Sequence, residues 1–374
     1  MNGAITAELS PGATPAANLA VLQRALDTGR SVHIPRGLHP LAPGASAMAA
    51  GQVVFGDGQH QSILDCRGSG DFLADGEFWG FEVRDLQLCG KVDGQQVTGG
   101  YGIVFDGSVR SNRAGWQTVN TRIQRVLMDG MWRGVHVRDQ NNMIIDGLQM
   151  AEMQDHGIVA ESPDANARTD AVTLRDIVFS PAAAAVEAGR GTGLLVDGNV
   201  QTIAIQNMNI VGALRGIDVQ NTANRPFGEH AAFLFADMLS VDYPLLEAVR
   251  ITHVDRARFS NGYFHGSKQA DGFWLGAGAR EIVLSACNVT SHWKSAIRHG
   301  GLELDLLACD LDDACLGPEG TASGLTVASA SRVSVTGGSI AGPRAAYGIE
   351  RLDPKAPITV TGTRLLGARG AKNF

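Results

Sequence analysis

The 374-residue sequence predicts an all-β fold, a right-handed parallel β-helix. About eleven coils of three short strands each are expected, capped by a short N-terminal helix. Three observations predict it. An apolar phrase with a built-in bend recurs along the chain, a second phrase led by glycine alternates with it, and only one stretch has helical spacing.

The helical stretch comes first in the chain. Thr14 is placed to cap it, Pro15 sits in the first turn, Leu19, Leu22 and Leu26 share a face, and Gly29 ends it. The spacing predicts a helix over about 15–28 that covers the open end of the stack, within a cap of residues 1–31. The first strand is expected at Val32-His33-Ile34, and coils then fill 32–374 as a single domain with no linker. Pro181 to Gly189, rich in alanine, and Gln220 to His230 read as loops that project from coils.

The bent phrase stands at Val83-Leu86-Leu88, Ile123-Val126-Met128, Ile145-Leu148-Met150, Leu174-Ile177-Phe179 and Ile205-Met208-Ile210. It continues at Phe235-Met238, Val254-Ala257-Phe259, Leu284-Cys287-Val289, Leu306-Cys309-Leu311, Val335-Gly338-Ile340 and Val360-Thr363-Leu365. From Ile123 to Val360 its copies are 19 to 31 residues apart. Apolar residues two apart are the inner face of a strand, and the step of three absorbs one bend residue. Asp85, Gly147, Asp176, Asn207, Asp237, Gly337 and Gly362 hold that bend, as suits residues that tolerate positive φ. Arg125, Arg256, Ala286 and Ala308 are exceptions. The glycine-led phrase, Gly-apolar-x-apolar, stands at Gly102, Gly134, Gly157, Gly193, Gly216, Gly272, Gly324 and Gly348. No such unit buries its apolar face alone. Stacking at ~4.8 Å per coil does so, and eleven steps make a stack roughly 50 Å long. Leucine-rich repeats are excluded because a helix per repeat is missing.

Net charge is −7 with no basic cluster, which excludes nucleic acid as an expected partner. No apolar run is long enough for membrane insertion. The N-terminus has neither a basic n-region nor an h-region, so no signal peptide is expected. The five cysteines are an odd number. Cys287 and Cys309 share a repeat column, as Cys66 and Cys89 are expected to, and reduced thiols in an apolar ladder are the expected state. No pattern points to a metal or cofactor.

The segment Leu22-Gln23-Arg24-Ala25-Leu26, Gly29 to Gly37, Val54-Phe55-Gly56-Asp57-Gly58 and Ser62-Ile63-Leu64 resembles the opening of the pectate-lyase-like β-helix superfamily. That resemblance implies a capped right-handed stack and activities from polysaccharide lyases, hydrolases and epimerases to bacteriophage tailspikes. The superfamily's pectinase phrases are mostly missing. Asp312-Asp313 is present, but Asn-Thr-Asp is not, and Asp155-His156-Gly157 and Arg298-His299-Gly300 only approach Gly-His-Gly.

Function falls to the outward columns. The position before the glycine holds Arg133, His156, Thr192, Arg215 and Asp271, and the position four after it holds Asp106, Arg138, Glu161, Asp197 and Gln220. Glycoside cleavage needs two carboxylates about 5–10 Å apart, which stacked coils can supply. Asp139, Asp155, Glu161 and Asp197 are the candidate carboxylates, with His156 as acid–base partner. Trp132, Arg133, Arg215 and Trp274 are the candidate glycan-binding residues, since aromatic faces stack on pyranose rings. Trp293 lies near a corner, while Trp79 and Trp116 read equally as glycan or subunit contacts and as plugs between loops and coils. His136, Asp218, Trp274 and Thr326 occupy outward slots whose mixed character suits lateral packing in a homotrimer, by analogy with trimeric β-helices.

A polysaccharide-handling β-helix without an export signal is expected on a virion, assembled in the host cytoplasm. The expectation is therefore a phage or phage-like spike or tail-associated protein, bound to other virion proteins, that recognises host cell-surface polysaccharide with or without cleaving it. The rival is a polysaccharide lyase, glycoside hydrolase or epimerase.

Overall fold

The computed structural model of the chain describes residues 3–75, 80–92, 95–107, 121–162, 168–224, 226 and 230–374. It divides into two compact units, Met1–Gly191 and Thr192–Phe374. Each is a β-solenoid, and together they carry about 14 turns. Among the described residues the strand pairs are parallel, apart from one antiparallel pair, Lys91–Val92 with Gln95–Gln96, and the register shifts at Met150/Met153 and at Ile251/His253.

In the first unit the helix spans Pro15–Leu26. Thr14 Oγ1 accepts from Ala17 N–H at 3.2 Å, and Asn18, Leu22, Ala25 and Leu26 are buried. Asn18 donates to the Pro40 carbonyl, and buried Gln52 donates to the Leu26 and Arg30 carbonyls, so the cap is tied to the first coils at both ends. A strand at Ile5–Thr6 precedes the helix and pairs with Val32–His33. Pro181 to Gly189 is not all loop, because Ala183–Glu187 forms one short helix, as alanine's propensity favours.

The coil count exceeds the expected eleven for a definable reason. The bent phrase is first legible at Val83, but three earlier turns carry strands at Ile5–Thr6, Val32–His33 with Gly37–Leu41, and Val53–Phe55 with Ser62–Cys66. Their bends are loops of several residues, so the step of three is lost.

Eleven bends have positive φ: Asp85, Arg125, Gly147, Asp176, Asn207, Met238, Asn261, Ala286, Ala308, Gly337 and Gly362. Two places differ from the expected phrase. At Phe235 the inward residues are Leu234, Ala236, Leu239 and Val241, and Met238, 50% exposed, takes the bend instead of Asp237. At Val254 the true phrase is Ala257-Phe259 with its bend at Asn261, so Arg256 is no exception. Phe233-Leu234-Phe235-Ala236 is apolar on both faces, and a one-residue slip then exchanges inside for outside without a change in apolar count.

The glycine of the second phrase has a steric cause. A Cβ on Gly134 would lie 2.3 Å from the Gly157 carbonyl oxygen of the next coil. In the second unit Phe259, Phe264 and Phe273 come from the three faces and meet edge-on at 4.6 to 6.2 Å. All five cysteines are free and buried.

Candidate functional site

In the first unit the glycine-led strands Tyr101–Asp106, Arg133–Arg138 and Ile158–Ser162 stack in register. Val104, His136 and Val159 share the outward column, with Tyr101 and Arg133 at its entry and Asp106, Arg138 and Glu161 at its exit. The Tyr101 ring lies on the His136 ring at 4.6 Å, and the Arg133 guanidinium sits over Tyr101 at 5.3 Å. Arg133 Nε donates to Asp155 Oδ2 at 2.8 Å, and His156 Nδ1 is 3.5 Å from the other Asp155 oxygen. His136 Nε2 and Glu161 Oε1 are 2.9 Å apart.

Four of the expected carboxylate and acid–base residues thus belong to the first unit, but not on equal terms. Asp139 sits at a corner with φ +50 and accepts from Ser162 Oγ at 2.6 Å, its side chain 1% exposed. The hydrogen bond from His136 holds the Glu161 carboxyl below its ordinary pKa, and burial pushes the Tyr101 hydroxyl up. A carboxylate held ionised suits positioning or nucleophilic attack and opposes proton donation. Trp132 is covered by Arg190, whose guanidinium is 4.5 Å from the ring centre. Trp79 and Trp116 lie outside the described residues.

Asp197 lies in the second unit, where its carboxylate accepts from the Thr222 N–H at 2.9 Å and from the Thr222 hydroxyl. Arg215 donates to Glu247 at 2.8 Å. The outward column of this unit runs Leu195, Asp218, Arg250, Trp274, Arg298, Thr326, Glu350. Buried Asp218 accepts from Arg250 at 2.7 Å and Gln220 at 2.8 Å.

Beyond Trp274 the character of the column changes. Asp271, Trp293, Lys294, Arg298, Thr326 and Glu350 help to line a cleft of about 380 Å³. Lys294 and Arg298 are exposed, and neither is ion-paired with a described residue. Arg215 and Arg250, earlier on this face, both are. Asp271 is 6% exposed and accepts from Ser295 N–H at 2.9 Å; burial raises its pKa even so. Glu350 accepts from Ser323 Oγ at 2.9 Å, and the Ser295 and Thr326 hydroxyls are bonded at 2.9 Å. The sequence places Asp271 in a site column and Trp293 near a corner, but singles out neither Lys294 nor Arg298. Their only signal is a pair of cations four residues apart around a corner. Among the described residues no three His, Cys, Asp or Glu side chains are grouped to hold a metal. No helix among them is long and apolar enough to cross a membrane.

No family model matches the chain, and no curated protein matches it in sequence. Solved structures do. The A-module of mannuronan C-5 epimerase AlgE6 from Azotobacter vinelandii is 13% identical, with a TM-score of 0.62 over 96% of this chain and 92% of that one. The N-terminal fragment of gene product 12 of bacteriophage Phi29 is 11% identical, with a TM-score of 0.61 over 92% of this chain and 68% of that one. Tailspike protein 3 of bacteriophage CBA120 is 11% identical, with a TM-score of 0.60 over 98% of this chain and 57% of that one. At such identities the likeness is one of architecture, and it agrees with the register and the bends: the chain is a right-handed parallel β-helix.

Proposed function

We propose that this chain is a polysaccharide-binding β-helix that serves as a spike or tail-associated protein of a phage or phage-like particle and holds an acidic host-surface polysaccharide in the cleft of its second unit. The observation that carries the reading is the pair Lys294 and Arg298 beside exposed Trp293, cations with no ion pair among the described residues on a face where Arg215 and Arg250 are paired. A sugar carboxylate or sulfate supplies a direct ion-pair partner for two cations that otherwise act on the Asp271 carboxyl without bonding to it, and the indole supplies a stacking face. The likeness in fold to a phage tailspike protein supports the virion setting. Trp274 and Arg298 are successive residues of one column, so the groove continues past the cleft. In the first unit Asp139, Asp155, His156 and Glu161 are the proposed catalytic residues, with Arg133 proposed to bind glycan, and Asp197 of the second unit is proposed separately.

A second reading, a polysaccharide-active enzyme, draws on Asp271. A carboxyl whose pKa is raised by burial inside a cleft is better suited to protonate a leaving glycosidic oxygen. Immobilised bacterial capsular and O-antigen polysaccharides test both readings. The wild type is expected to be retained by acidic polysaccharides, and Lys294→Ala with Arg298→Ala to weaken retention at least about tenfold, with a smaller salt dependence. Retention unaffected by that double change sinks the cleft. Release of reducing ends or unsaturated product, abolished in Asp271→Asn, decides for the enzyme.

A further inference from the structure

Trp293 lines a second cleft as well, of about 410 Å³, together with Tyr243, His265, Lys268, Ser291 and Leu316. Its apolar side chains are exposed to a degree that needs a cause: Tyr243 49%, Trp293 43% and Leu316 39%, with Tyr263 at 42% beside them. The rings are ordered. His265 meets Tyr243 edge-on at 4.8 Å and lies nearly parallel to Tyr263 at 5.8 Å.

Two of the rings are laid over glycines. A Cβ on Gly266 would lie 2.9 Å from Tyr243 Cδ1, and one on Gly317 would lie 3.0 Å from Trp293 Nε1. Each ring therefore rests against the chain at a point where no side chain lifts it away. The corner beneath is anchored by His292, 0% exposed, whose Nε2 is 3.1 Å from the Phe264 carbonyl and whose Nδ1 is 3.3 Å from Ser267 N. Trp293 N–H donates to the Ser267 carbonyl at 3.0 Å. Exposed rings held this way are pre-organised for a ligand.

We propose that this aromatic cleft is a second subsite for the polysaccharide and takes a neutral pyranose adjacent to the acidic sugar held by Lys294 and Arg298, with Trp293 shared between the two. The inference rests on the polysaccharide reading and deepens it. Among the described residues no carboxylate lines the second cleft and Lys268 is its one lysine or arginine, so it offers stacking and hydroxyl contacts rather than a counter-charge. A pyranose presents a C–H face to a ring and hydroxyls to Ser291 and Lys268. A second copy of the chain suits it less, because a lysine and a serine break the aromatic surface and the surface is concave. Because one residue serves both clefts, the recognised repeat joins an acidic sugar to a neutral one.

The test uses the full chain on immobilised bacterial capsular and O-antigen polysaccharides of known repeat. Tyr243→Ala with Tyr263→Ala is expected to weaken retention about tenfold while leaving its salt dependence unchanged. Tyr243→Phe, which keeps the ring, is expected to bind as the wild type does and guards against a folding defect. Unchanged affinity in the double alanine variant overturns the subsite. So does a drop in oligomer mass on light scattering with affinity unchanged, which assigns the face to a subunit contact. A wild type retained by no polysaccharide removes the polysaccharide reading itself, and the subsite with it.

Discussion

His299 shows how one residue can set the pH response. It points inward between Leu275 and Val327, fully buried, and among the described residues neither ring nitrogen has a hydrogen-bond partner. Burial pushes its pKa down to about 4, and that of His292 to about 3. The unfolded chain takes up these protons near pH 6.5 and the folded chain does not, so the stability is fully present above that value. It is lost as pH falls from about 6.5 towards 4. His299→Leu, which completes the apolar ladder, is expected to remove about 3 kcal/mol of acid sensitivity across that window, read from denaturant midpoints between pH 7 and pH 4. An unchanged pH profile would refute this account of the side chain. The sequence puts His299 in an outwardly polar-looking Arg298-His299-Gly300 phrase, and only the strand register shows that it faces the core. Asp271 is the same lesson reversed. Its column was legible, but its burial depends on neighbours two dozen residues on, such as Ser295.

At the scale of the element, the left-handed bend is what makes a coil. Eight of the eleven bend residues are not glycine: Asp85, Arg125, Asp176, Asn207, Met238, Asn261, Ala286 and Ala308. Non-glycine residues carry strain of roughly 1–2 kcal/mol there, which stacking must offset. Gly337 isolates that cost. Its φ is +70, and an added Cβ would come no closer than 3.8 Å, to Ala308 Cα, so Gly337→Ala meets strain without a clash. Its expected effect is a loss of about 1 kcal/mol, seen as a lower thermal midpoint, and no loss would mean that the bend relaxes freely. Most bends were legible because Asn, Asp and Gly announce them. The copy at Met238 was misplaced because a strand apolar on both faces does not declare its register, and the one at Asn261 because buried Val254, Ala257 and Phe259 have the same spacing as the phrase.

For the whole molecule, the virion reading carries a consequence for assembly. If the chain serves as a spike, it is expected as a homotrimer, and light scattering should return three times the 39.4 kDa chain mass. A monomer at working concentration would count against the virion setting while leaving the clefts untouched. By itself the sequence determined the fold class, the capping helix, the inward ladders and the bends, because core positions repeat and a periodic constraint shows in a periodic pattern. Tertiary structure alone decided which outward residues meet. Among the described residues Lys294 and Arg298 form no ion pair, while Arg250 and Arg215 find carboxylates. His136 is tied to Glu161, and Tyr243, Tyr263 and Trp293 come to share one surface. The physical reason is that side chains on a solenoid meet across coils, through corners of unequal length that no local spacing encodes.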